Sequence, residues 1–99
     1  MAHGSKSASF LMERWIEEAA GGDAEALYEL GVAYSTGTCG TPIDLIEAHK
    51  WFNLAALNGS GLAQDCRAEI ADEMSAREIA EAQRQARAWL SQTSRRAAA

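Results

Sequence analysis

The chain resembles itself at a shift of 37 residues. Trp15 and Phe52, Ala19 and Ala56, Gly22 and Gly59, and Ala26 and Ala63 pair at that spacing, and Ala48-x-x-Trp51 returns as Ala86-x-x-Trp89 at a shift of 38. A fixed period of this length marks one supersecondary unit stacked on copies of itself. The paired positions are small or aromatic and fall at helical spacing, so the unit is a helical hairpin written more than once. A lone hairpin leaves one apolar side wet, and the next unit has to cover it. An Ala-rich composition with a single Pro and few β-branched residues fits closely packed helices and disfavours an extensive sheet.

Period and punctuation predict five helices. The first runs from about Ser9 to Ala20 with Phe10, Leu11, Trp15, Ile16 and Ala19 as its inward stripe, and stops at Gly21-Gly22. Asp23 caps a second, which runs to about Thr36 and buries Ala26, Leu27, Leu30, Gly31 and Tyr34. A loop over 37–43 follows, with glycines for positive φ and Pro42 to stop either helix from running through. Asp44 and Glu47 form a capping box for the third helix, which carries Leu45, Ala48, Trp51, Phe52, Ala55 and Ala56 to Asn58-Gly59. The fourth spans about Gly61 to Met74, with Leu62 or Ala63, Cys66, Ile70 and Met74 inward. Ser75 with Glu78 is a second capping box, opening a helix that turns Ile79, Ala82, Ala86, Trp89 and Leu90 to one side and ends near Gln92.

The run Ala26-x-x-x-Leu30-Gly31-x-x-Tyr34-x-x-Gly37, then Gly40, Asp44, Ala48-x-x-Trp51-Phe52-x-x-Ala55-Ala56-x-x-Gly59, resembles a complete Sel1-like repeat, a relative of the tetratricopeptide repeat. The resemblance implies an all-α fold of antiparallel hairpins stacked as a short right-handed α-α superhelix. Gly31 would let a neighbouring helix approach, Tyr34 and Trp51 would fill the hairpin, and Ala55-Ala56 would admit the next repeat. The loop is one residue longer than the family's Gly-x-Gly, with Cys39 inside the insertion. In the last unit the glycine loop is gone and Arg67 stands where Leu30 stands in the first. The expected organisation is a flexible leader or tag remnant over 1–8 and a single domain over 9–92. That domain divides into a half-repeat (9–22), a complete repeat (23–59) and a divergent capping repeat (60–92), and a frayed tail follows over 93–99.

The net charge of −5 disfavours nucleic acid, which needs a basic surface to displace counterions. Its distribution is uneven. Four basic residues against twelve acids leave −8 over 1–76, whereas five arginines against two glutamates leave +3 over 77–99. No segment has the roughly 20 apolar residues of a membrane span, and no signal peptide is visible, so a cytoplasmic protein is expected. Nothing points to catalysis, cofactor or metal. His49, between Ala48 and Lys50, reads as a surface histidine, and adjacent pairs such as Glu17-Glu18 diverge by about 100° on a helix. Cys39, Cys66, His49 and Asp44 lack metal-ligand spacing, and the sequence leaves a Cys39–Cys66 disulfide open.

The function that the resemblance implies is binding of a protein or peptide, as in adaptors of bacterial signalling and eukaryotic protein degradation. First helices of successive repeats would line the binding face. Its expected residues are Glu25, Tyr28, Glu29, Val32 and Ser35, continued by Gln64 and Asp65, with Tyr28 and Val32 as an apolar anchor among acids. In a competing reading Tyr28 packs on the first helix. The alternative function is a self-assembling structural or regulatory protein that joins its acidic front to its basic C-terminal helix.

Overall fold

The computed structural model describes residues 2–98, with side chains described over 9–95. Five helices follow one another: α1 (Ala2–Ala20), α2 (Ala24–Thr36), α3 (Leu45–Leu57), α4 (Gly61–Ala71) and α5 (Ala76–Ala98), with no strand among the described residues. Two helices are longer than expected. α1 begins before Ser9 and α5 continues past Gln92, where Thr93 donates its hydroxyl to the Trp89 carbonyl at 2.9 Å and Ala and Arg favour helix. α4 is shorter. It ends at Ala71, where Asp72, Glu73 and Met74 fold back on the carbonyls three residues earlier and lead directly into Ser75. Met1 and Ala99, the outermost residues of the expected leader and tail, lie outside the described residues.

Side-chain caps set most of the starts. Asp23 accepts from the Ala26 amide, Asp44 from that of Glu47 and Ser60 from that of Ala63, each at 3.1 Å. The box at Ser75 is reciprocal, because the Ser75 amide also donates to Glu78 Oε1 at 2.8 Å. At Asp44 only half of the expected box forms. Glu47 turns away from the cap to accept from the Trp51 indole at 3.0 Å and to pair with Lys50 at 2.9 Å, while the Asp44 amide donates to the Tyr34 carbonyl. Gly37 closes α2 in the left-handed region at φ 73°.

α3 is the common neighbour: α2, α4 and α5 all pack on it, while α1 packs chiefly on α2. The result is a slab of 38 × 38 × 22 Å, whose thin dimension is two helix diameters. α5 docks on α3 rather than closing a tight hairpin with α4. The Trp51 and Trp89 rings meet edge to face at 4.8 Å along that seam, above buried Ala82 and Ala86. Thus Trp51 is engaged with the last helix, and Phe52 fills the α2–α3 contact against Gly31. Ala26, Leu30, Gly31, Ala48, Trp51, Phe52 and Ala55 are buried as expected. Ala56 and Tyr34 are half-buried, and Gly37, Asp44 and Gly59 are exposed turn positions.

Several core assignments change. On α1 the inward residues are Met12, Trp15 and Ala19, while Phe10, Leu11 and Ile16 face water, since α2 covers only one side of that helix. His49 is buried at 3% exposure instead of lying on the surface, because α4 covers that side of α3. Leu54, absent from the expected stripe, is buried, whereas Leu90 stays largely exposed. On α4 it is Ala63 that is buried and Leu62 that is exposed.

Candidate interaction face

Residues of α2 that do not face α1 or the core of α3 run from Glu25 to Ser35, and α4 lies beside them. Tyr28 is the centre of this side. Its ring tilts on the Phe52 ring at 5.8 Å, so it packs on α3 rather than on the first helix, and its hydroxyl faces the Cys66 thiol of α4. Burial pushes the phenol above its ordinary value, with the Cys66 thiol and the carboxylates of Glu29 and Glu25 adding to the effect. Burial likewise pushes the Cys66 thiol up, helped by Glu69 and Asp65 and opposed by the Tyr28 hydroxyl. A half-buried tyrosine therefore bridges the first helices of two successive units, with Glu25 and Glu29 beside the phenol and Asp65 and Glu69 beside the thiol it meets.

Beside Tyr28 lies an open depression, with Ala24 and Glu25 on one wall and the Asn58–Leu62 turn on the other. Glu25, Leu62 and Asp65 are exposed and Glu29 is half-exposed. Val32 packs partly against the core one turn along, and Ser35 donates its hydroxyl to the Val32 carbonyl at 3.1 Å, which ties it to its own helix. Gln64 is exposed but does not join the face: it lies two residues, about 200° of rotation, from Cys66. It is the counterpart of buried Leu27 at the shift of 37, and it is uncovered because α5 leans on α3 instead of α4.

Sequence reasoning missed Leu62, Cys66 and Glu69 on this side. The internal shift carried the signal, since they are the counterparts of Glu25, Glu29 and Val32. Elsewhere, Cys39 takes a positive φ of 58° in the loop, and both cysteines are free thiols. Burial lowers the pKa of His49, and the Arg67 guanidinium of α4 lowers it further. Arg67 in turn donates to the side-chain carbonyl of Asn53, one turn after His49, which ties α4 to α3 and holds the charge beside the imidazole. Among the described residues no three His, Cys, Asp or Glu side chains come together as metal ligands.

The Sel1 repeat family model matches residues 24–60, from the start of α2 to the cap of α4. The chain carries a Sel1 repeat. Tyr28, Glu25, Glu29, Val32 and Ser35 lie inside it, and the Phe52–Gly31 contact is its internal seam. Sel1 repeats form tetratricopeptide-like helical stacks and generally mediate protein–protein interaction, without catalysis of their own. No match was found among curated proteins or among solved structures. Among the described residues, no helix is long and apolar enough to cross a membrane.

Proposed function

We propose that this chain is a protein-interaction module, working as an adaptor, whose binding face is the α2–α4 side built on Glu25, Tyr28, Glu29 and Val32 from α2 and Leu62 and Asp65 from α4. The observation that carries this reading is Tyr28 itself, half-buried on Phe52, with Glu25 and Glu29 of its own helix beside it and, on α4, the Cys66 thiol that Asp65 and Glu69 flank. A rigid aromatic with one edge open supplies contact area at little entropic cost, and such residues dominate binding energy when a polar rim surrounds them. The segment that suits the face carries an apolar side chain for the Tyr28–Leu62 depression and a basic residue on either side for Glu25, Glu29 and Asp65. In this reading α1 is the second half of a preceding repeat, and α4 with α5 is a capping unit that shields the stack from water.

The test is affinity capture with the wild-type chain and with Tyr28→Ala/Glu29→Lys, each quantified by mass spectrometry. Partners that bind through this face drop out of the variant while its helical circular dichroism spectrum stays intact. Retention of every specific partner by a folded variant refutes the assignment.

A further inference from the structure

We propose that copies of this chain join end to end, with the outer ridge of α1 in one copy docked on the outer side of α5 in the next. These are the first and last helices, and among the described residues α1 packs chiefly on α2 and α5 on α3, which leaves residues on the far side of each exposed. On α1 the ridge carries Phe10, which is 73% exposed, together with Glu13 and Glu17. Arg14 is bonded to Glu18 at 3.3 Å, and Glu13 and Glu17 have no ion pair among the described residues. The ridge is therefore an exposed aromatic set among free carboxylates.

α5 presents the complement. Ala82 and Ala86 point at α3, and on the opposite side Arg77, Arg84 and Arg95, seven and eighteen residues apart, fall on one line. Arg84 shares its charge with Glu81 at 2.6 Å, while Arg77 and Arg95 pair with no carboxylate among the described residues. Next to that line an open depression has Ala88 and Trp89 at its apolar part and Lys50 and Arg84 at its edge. Ala88 leaves room where a larger residue would fill the gap. The Phe10 ring of one copy seats on Ala88 and Trp89 of the next, and Glu13 and Glu17 then face the arginine line. The occupant is a second copy because both complementary surfaces, acidic-aromatic and basic-apolar, belong to the same chain, one on its first helix and the other on its last. Such a head-to-tail contact does not use itself up, so it extends into strings unless the rotation closes a ring.

Sedimentation velocity across a concentration series tests this with three chains: wild type, Glu13→Arg/Glu17→Arg, and Arg84→Glu/Arg95→Glu. At low salt the wild-type average mass rises to at least double with concentration, and it returns to the monomer value in about 1 M salt, where screening acts within about 3 Å. Each charge-swapped variant stays monomeric by itself, and an equimolar mixture of the two associates again. Phe10→Ser, a neutral change, weakens the wild-type association, and Glu29→Lys on the α2–α4 side leaves it unchanged. A wild-type chain that is monomeric at every concentration overturns the proposal. So does association that survives in both swapped variants, a mixture that fails to recover it, or its loss in Glu29→Lys.

Discussion

The ring of Phe52 occupies the space in which a side chain at position 31 would begin. A β-carbon added to Gly31 would stand 2.4 Å from the Phe52 ring, closer than any real contact allows, and α2 and α3 meet at that point with nothing between them but backbone and ring. Helix propensity favours Ala over Gly by about 1 kcal/mol, but overpacking a tight core costs about 1–3 kcal/mol. The steric term wins. Gly31→Ala is expected to lower stability in urea denaturation, and Gly31→Ala/Phe52→Leu to recover part of the loss.

Trp51 holds the last helix through its ring and its own helix through its indole N–H. Trp51→Ala removes the edge-to-face contact with Trp89 and leaves Glu47 without its indole donor, a loss of about 3–5 kcal/mol for a buried aromatic. Trp51→Phe keeps most of the ring contact and loses the hydrogen bond, so it should fall between the two. A thermal melt of Trp51→Ala that matched the parent would show the α3–α5 seam to be assigned wrongly.

Burial and the Arg67 charge lower the pKa of His49, and its Nδ1 has no hydrogen-bond partner. The folded chain therefore holds this imidazole neutral at a pH where the unfolded chain, with an ordinary value of about 6.5, already binds a proton. Its contribution to stability is complete above about pH 6.5 and is lost as pH falls, at a slope of at most about 1.4 kcal/mol per pH unit. Urea denaturation between pH 7.5 and 5 should show that decline in the wild type and a flatter profile in His49→Gln. Equal slopes in the two would mean that the group titrates normally in the fold.

The reciprocal box at Ser75 starts α5 after a four-residue turn. Ser75→Ala is expected to cost about 1 kcal/mol and to lower the melting temperature by about 4–8 °C. At the other box the partner acid has left the cap, so Glu47→Ala should disturb Trp51 fluorescence and leave the start of α3 where it is.

Much of this architecture was legible in the residues, because short-range signals carried it. The shift of 37 revealed the hairpin, caps at Asp23, Asp44 and Ser75 located helix starts within a residue or so, and Gly31 implied a close approach that Phe52 makes. What remained hidden depends on which helices are neighbours. α1 offers apolar residues on more than one side, and only the position of α2 decides that Met12 turns inward while Phe10 turns out. His49 looks like a surface residue in a polar dipeptide until α4 is laid over it. Gln64, the counterpart of buried Leu27, stays uncovered because α5 packs on α3 through Trp89 rather than on α4. The acidic surroundings of Tyr28 were foreseeable from Glu25 and Glu29, but its Cys66 neighbour required the tertiary contact.

Because α2, α4 and α5 share α3 as their neighbour, the one complete repeat carries the contacts to both flanking units, and so short a stack has no spare unit to lose. In an extended array each unit touches only the next and can melt or be deleted by itself. Here the removal of one helix would strip three others of their common wall. The molecule is built as a repeat, yet it should live and fail as a single cooperative body, which makes it a poor candidate for lengthening or trimming by whole units.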